Sequence, residues 1–222
     1  MGQLTVIRHA QASFGAANYD KLSPLGHRQS EALGAAMKAQ GMAWPEVVFV
    51  GEQVRHRETF EGVAKGYGMS AEPRVHAGLN EFDFKALLEA HKKLDALPEN
   101  STGDRATHFR QLKATVLAWQ NDEIPNPPES FAAFVARVDA AREAARGLEA
   151  DNVWMFSSGG AISQMIRLVL GAPAEQQILL QLQMKNCAIN RFVQGRNSTF
   201  LHGFNETPHI TAQNADDMLT YS

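Results

Sequence analysis

Leu4-Thr5-Val6-Ile7-Arg8-His9-Ala10-Gln11 is the stretch whose reading decides the architecture. Its β-branched and apolar residues read as a buried parallel strand. An Arg-His pair follows at once, then a polar loop containing Gly and Ala. A buried strand that delivers a guanidinium and an imidazole to its C-terminal edge sets them where open α/β sheets take their ligands. The rest of the chain reads as supplying partners for that pair.

Two further strands of the same kind follow. Val47-Val48-Phe49-Val50 runs into Gly51-Glu52-Gln53-Val54-Arg55-His56-Arg57-Glu58-Thr59 and a helix through Val63. Val153-Trp154-Met155-Phe156 runs into Ser157-Ser158-Gly159-Gly160, and Ala161, Ile162, Met165, Ile166 and Val169 then form a helix face up to Gly171 and Pro173. Between the first two strands, Ser23-Pro24 reads as an N-cap followed by Pro at the first helical position. Leu33, Ala36 and Met37 recur at helical spacing, and Gly41 ends that helix. Strand and helix alternating in this way predict a three-layer α/β fold, a mostly parallel sheet with helices on both faces.

The remaining segments fit around this frame. From about Lys85 to Gln120 the pattern is helical, through Leu87, Leu88, His91 and Leu94, then Phe109, Leu112, Val116 and Trp119. Ile124-Pro125-Asn126-Pro127-Pro128 closes it as a rigid connector. We read residues 85–128 as a helical insertion over one end of the sheet, either shaping a substrate pocket or simply adding a packing layer. Phe131, Phe134, Val135, Val138 and Ala141 mark an amphipathic helix ending near Gly147. Ala188-Ile189-Asn190-Arg191-Phe192-Val193, a Gly195-Arg196-Asn197 turn and Thr199-Phe200-Leu201 predict a hairpin or adjacent strands at one edge.

Composition bounds the function. The chain has 222 residues, 44% hydrophobic and 20% charged, which predicts one soluble domain over residues 1–222. A formal net charge of −3 argues against a general binder of nucleic acid or anionic membranes, so any anion recognition is local. The single cysteine, Cys187, excludes an internal disulfide and a multi-cysteine zinc site and fits a reducing cytoplasm. No secretory signal pattern precedes the first strand, Val6 stands where a myristoylation signal wants Ser or Thr, and no apolar run approaches the ~20 residues of a membrane span. Composition therefore predicts no nucleic-acid and no membrane partner; the oligomeric state has no signal.

In a parallel sheet the three strand ends lie at one edge. Arg8-His9, Arg55 and the glycine-rich start at Ser158-Gly159-Gly160 then make a strong local anion site. Guanidinium forks match phosphate oxygens bidentately, and free N–H groups at a helix start add to the attraction. A sulfate or carboxylate fits the same geometry.

These residues carry a resemblance. The opening strand with Arg8-His9, the Leu22-Ser23-Pro24-Leu25-Gly26 helix start with Gln29, Arg55 with Thr59, Leu79-Asn80-Glu81 and Phe156-Ser157-Ser158-Gly159-Gly160 resemble, in order and over nearly the whole chain, the histidine phosphatase superfamily, the phosphoglycerate mutase-like group. The resemblance implies that His9 is the nucleophile and that Arg8 and Arg55 clamp the non-bridging oxygens. It implies that Glu81 protonates the departing alcohol and later helps activate water. It implies Ser158 and Gly159 as phosphate-binding groups beside Arg8 and Arg55, and a small phosphorylated substrate or phosphate as the partner. No cofactor and no metal are implied.

The pattern departs in places. The third strand of the family ends in Ser-His-Gly, and Ser158 stands where that histidine is expected. A serine hydroxyl brings no positive charge, and loss of one preorganised donor costs on the order of 10²–10³ in rate. The helix start at Gly159-Gly160 is expected to remain available to phosphate. His56, beside Arg55, and His209, near the C-terminus, are open as substitutes. Gly51 stands where serine is common and Ala10 where glycine is common, and Asp83 rivals Glu81 as the acid. Ser158 itself reads as a weakened phosphate ligand, a turn residue, or a serine nucleophile at a strand-to-helix elbow. The last wants glycine two residues earlier, where Phe156 stands. Arg57 and Glu58 read as helix-surface charges, and His27, His76, His91, His108 and His202 as structural or exposed. The leading expectation is a phosphomonoester hydrolase working through phospho-His9; the alternatives are a phosphoglycerate mutase-type transfer and a non-catalytic phospholigand-binding protein.

Overall fold

A computed structural model describes residues 2–13, 20–93, 105–195 and 198–221. In chain order the elements are β1 (Gly2–Arg8), α1 (Pro24–Ala39), β2 (Val47–Val50), α2 (Val54–Tyr67), β3 (Arg74–Val75), α3 (Phe84–Lys92), α4 (Arg105–Gln120), α5 (Phe131–Arg146), β4 (Asn152–Ser157), α6 (Gly159–Leu170), α7 (Gln176–Gln183), β5 (Ile189–Gln194), β6 (Thr199–Glu206) and α8 (Ala215–Met218). The strands form one sheet in the order β3-β2-β4-β1-β5-β6. β1, β2, β3 and β4 pair in parallel, and β5 runs against both of its neighbours, β1 and β6. The mostly parallel α/β expectation holds, with the predicted antiparallel hairpin at one edge.

Successive side chains of a strand point to opposite faces, and that alternation builds two cores. Leu4, Val6, Phe49, Val153, Met155 and Phe192 face one layer, with Phe134 and Val138 of α5, Ile162 and Met165 of α6, and Val116 and Trp119 of α4. Ile7, Val48, Val50, Trp154 and Phe156 face the other, with Leu33 and Met37 of α1 and Phe60 and Val63 of α2. Every central strand is thus covered on both sides, which is why the three runs are apolar apart from the buried Thr5. Trp154 and Met165 are core residues, as expected.

Helix ends follow their sequence signals. Ser23 caps α1 by accepting from the Gly26 N–H, with Pro24 inside the first turn. Gly68 and Gly171 close α2 and α6 in the left-handed region, so α2 runs one turn beyond the expected Val63. The expected helical stretch from Lys85 to Gln120 is two helices, α3 and α4, joined by a hydrogen bond between His91 Nδ1 and Thr115 Oγ1 (3.0 Å). Leu94 of that reading and Arg196 and Asn197 of the hairpin turn lie outside the described residues, as does the side chain of His108.

α1 and α2 touch through glycine. A Cβ at Gly34 would lie 2.0 Å from the Val63 carbonyl oxygen, so the helices would have to separate to admit it. Overpacking of this kind costs about 2–3 kcal/mol. Gly34→Ala is expected to lower the unfolding free energy by that amount, read as a lower urea midpoint with an unchanged denaturant slope; an undisturbed midpoint would show that the two helices slide apart freely.

Candidate active site

β1 ends at Arg8, and His9 sits just beyond it, bound on every side through its main chain. Its N–H donates to the Ser157 carbonyl on β4 (2.9 Å), and its carbonyl accepts from the Asn186 side chain (3.1 Å) and the Cys187 N–H (3.4 Å). The next residue, Ala10, donates its N–H to Thr59 Oγ1 on α2 (3.0 Å), while the Thr59 hydroxyl donates to the Arg55 carbonyl (2.6 Å). The Leu22-to-Gln29 motif holds the loop that follows. Gln29 accepts from the Gln11 N–H (2.9 Å), Ser23 donates to the Gln11 side chain (2.7 Å), and a Cβ at Gly26 would lie 2.2 Å from the Gln11 carbonyl oxygen.

The imidazole of His9 is oriented by one bond. Nδ1 lies 2.7 Å from the Ala10 carbonyl oxygen, and a carbonyl only accepts, so Nδ1 carries the proton. Nε2 is left with its lone pair. Burial first, then the charges of Arg55 and Arg8 and the neighbouring His56, hold the His9 pKa well below the usual histidine range. The ring is therefore neutral at neutral pH, with an unprotonated nitrogen among cations.

Arg8 and Arg55 are both nearly buried. Arg8 Nη1 donates to the Met184 carbonyl, just after α7, and to the Tyr221 carbonyl of the C-terminal segment (2.6 Å). That segment is anchored in turn by Gln29, which donates to Met218 O (2.7 Å) and Thr220 Oγ1 (2.9 Å). Arg55, the second residue of α2, pairs with Asp20 (2.7 Å), whose other oxygen accepts from the Val54 N–H (2.8 Å). Asp20 thus fixes the guanidinium and caps α2 with one carboxylate.

β4 delivers Ser158, the N-cap of α6, fully buried. Its hydroxyl lies 2.7 Å from His56 Nε2 and accepts from Arg55 Nη2 (3.3 Å). His56 is itself fully buried, with its ring centre 5.9 Å from that of His9. Burial, and then the charge of Arg55, push its pKa well below the usual range. Gly159 follows against Arg8, whose Nε would lie 3.5 Å from a Cβ there.

Glu81 reaches the same place from the loop after the 3-10 turn Ala77–Leu79. Its carboxylate accepts from the Gly160 N–H (2.8 Å) and the Phe82 N–H (3.2 Å). Phe82 anchors the loop in the core, with ring centres 5.1 Å from Trp119 and 5.6 Å from Phe134. A Cβ at Gly160 would lie 2.2 Å from Glu81 Oε1, so this glycine is what lets the acid dock on the start of α6. Burial raises the Glu81 pKa, outweighing the Gly160 N–H, Arg55, the Phe82 N–H and Arg8.

The structure therefore brings Arg8, His9, Arg55, Glu81, Ser158 and Gly159 to the carboxyl edge of β1, β2 and β4. It corrects the expectation that the Gly159-Gly160 start is free for phosphate, because Glu81 already takes the Gly160 N–H. It separates the two acids, since Asp83 is exposed and caps α3 by accepting from the Ala86 N–H (2.9 Å). It separates the two histidines, since it is His56 that meets Ser158, while His209 is buried beyond β6 with its pKa pushed down to about 4 by that burial. Glu58 is more than a surface charge, accepting from the Leu22 N–H (2.7 Å). Sequence reasoning missed Asp20, whose signal was a carboxylate two residues before Leu22. It also missed Met184 and Tyr221, which act through carbonyls and leave no side-chain signature. Among the described residues no group of three or more His, Cys, Asp and Glu could hold a metal ion, and no helix is long and apolar enough to cross a membrane.

A neutral imidazole flanked by guanidiniums stands at the carboxyl edge of a three-layer α/β sheet, an arrangement whose charge suits an anion. The model of the histidine phosphatase superfamily, branch 1, matches residues 4–207, and the chain belongs to that family. Solved structures with the same fold include the α-ribazole phosphatase of Shigella flexneri, at 19% identity and a TM-score of 0.64, covering 92% of this chain and 96% of that one. A mycobacterial glucosyl-3-phosphoglycerate phosphatase in complex with inorganic phosphate matches at 19% identity and a TM-score of 0.65, covering 95% and 100%. No curated protein matches the sequence.

Proposed function

We propose that this protein is a phosphomonoester hydrolase that works through a phosphohistidine on His9. The observation that carries the reading is the His9 ring. Its proton is committed to the Ala10 carbonyl, and its bare Nε2 is left on a ring that feels the charges of Arg55 and Arg8. Nε2 attacks phosphorus, the ester P–O bond breaks, and the alcohol oxygen takes the proton of Glu81. Arg8 and Arg55 neutralise the charge on the non-bridging oxygens, the work a metal does elsewhere. Water then attacks the phosphohistidine, the Glu81 carboxylate takes its proton, and the P–N bond breaks to release phosphate.

The substrate class is a small soluble phosphomonoester, of the kind the similar structures are named for. The test is a chase with a labelled aryl phosphate followed by alkaline denaturation. Label bound to protein, stable in base and lost in acid, with inorganic phosphate accumulating, is the expected result. Phosphate binding with neither label nor turnover would replace the hydrolase by a phospholigand-binding protein, and label passed only to a second alcohol would replace it by a mutase.

A further inference from the structure

Three positions from two distant stretches of the chain form one arrangement beside the nucleophile. Ser158 offers a fully buried hydroxyl, and His56 Nε2 sits 2.7 Å from it. Gly51 makes the arrangement possible, because a Cβ there would lie 2.3 Å from His56 Nδ1. A side chain at 51 and the observed ring at 56 exclude each other. The pair opens a place for an imidazole contributed by α2.

We propose that His56 is a positioning residue for the phosphoryl group, acting through Ser158: its Nε2–H donates to Ser158 Oγ and turns the hydroxyl hydrogen toward a phosphoryl oxygen. This rests on the phosphomonoesterase reading of the site. The direction of the bond follows from counting donors. Arg55 Nη2 can only donate to Ser158 Oγ, filling one lone pair. If the serine donated to His56 instead, Nδ1 would carry the ring proton, and Nδ1 is buried with no hydrogen-bond partner. An orphaned buried N–H is costlier than an unfilled lone pair on the same atom. With Nε2 protonated, the serine oxygen accepts twice, and each accepted bond polarises the O–H it has left to give. The imidazole that position 158 lacks is thus supplied one shell further back.

The experiment uses the full chain and the variants His56→Leu, His56→Gln, Ser158→Ala and the double His56→Leu/Ser158→Ala. Folding is verified by thermal melts, affinity for inorganic phosphate by titration calorimetry, and kcat and KM on an aryl phosphate. Partners behind a reacting group typically cost about 10–100-fold when removed. His56→Leu is expected to lose that much in phosphate affinity and kcat/KM. His56→Gln, which keeps an amide N–H near the reach of Nε2, is expected to regain most of it. The double variant is expected to be no worse than Ser158→Ala, because His56 has no other route to the phosphate. Gly51→Ala, whose methyl would lie 2.3 Å from His56 Nδ1 and 2.8 Å from Asn80 Oδ1, displaces the ring without touching its chemistry and is expected to lose at least as much as His56→Leu.

A folded His56→Leu at wild-type affinity and rate, or effects that multiply in the double variant, would overturn the proposal. So would covalent capture of Ser158 by an organophosphonate ester, which would make the serine a nucleophile and His56 its base. Loss of aryl phosphate turnover in the wild type with the phosphate-affinity pattern intact would sink the hydrolase reading and leave the positioning role standing.

Discussion

His9→Ala is expected to remove at least about 10⁴-fold of the aryl phosphate hydrolysis rate, the scale on which nucleophile removal acts in covalent catalysis. The base-stable, acid-labile phosphoenzyme is expected to vanish with it. The reason lies in what surrounds the ring. Its main chain is fixed by Ser157, Asn186 and Cys187, so alanine leaves the loop in place and removes the imidazole with its Nε2. Arg8 and Arg55 reach the site from other anchors, Arg55 on Asp20 and Arg8 on the Met184 and Tyr221 carbonyls. Phosphate affinity is therefore expected to survive in His9→Ala, since the neutral imidazole it removes brings no positive charge. Equal turnover in wild type and variant, measured on the same preparation with phosphate affinity as the control, would overturn the nucleophile assignment.

How much of this was legible beforehand depended on how far each feature writes itself into local sequence. β1, β2 and β4 are buried on both faces, so their runs are apolar but for the buried Thr5, and their ends lead to Arg8, Arg55 and Ser158 in a fixed order. β3 is two residues long and exposed, Arg74 and Val75, and leaves no such run. α7 hides for another reason: Gln177 is fully buried on it, donating to the Gly160 carbonyl (3.3 Å), so the buried stripe is not an apolar one. The choice between Glu81 and Asp83 could not be read locally, since both are carboxylates on one short loop. It is made by Phe82, which enters the aromatic cluster with Trp119 and Phe134 and leaves one acid on each side of the wall. His56 had a clearer signal than its neighbours. It stands next to Arg55 on the stripe that carries Phe60 and Val63 into the core, and a histidine there must be buried. Its contact with Ser158, 102 positions away, is purely tertiary.

Glu81→Gln is expected to separate substrates by leaving group. Removing a positioned general acid costs about 10²–10⁴-fold where the leaving oxygen needs its proton. An alkyl phosphate is expected to lose that much, and an aryl phosphate, whose phenolate leaves unaided, far less. The pH profile of kcat/KM gives the second half of the argument. Burial raises the Glu81 pKa, so the protonated acid persists to higher pH than an exposed glutamate would allow, and activity falls as pH rises through that value. Burial and the two arginines lower the His9 pKa, so the nucleophile is lost only as pH falls through a value below the usual histidine range. Wild type is therefore expected to show a bell, with the basic limb belonging to Glu81 and the acidic limb to His9. Glu81→Gln flattens the basic limb and keeps the acidic one. Asp83→Asn, altering an exposed cap outside the cleft, keeps both. A basic limb that survives in Glu81→Gln, or equal losses on alkyl and aryl substrates, would take the proton away from Glu81. The docking glycine supplies the remaining check: Gly160→Ala drives a methyl into Glu81 Oε1 and to 2.6 Å from Phe82 Cε1 while leaving the carboxyl chemically intact, so it is expected to reproduce the leaving-group split by displacing the acid together with the loop that carries it.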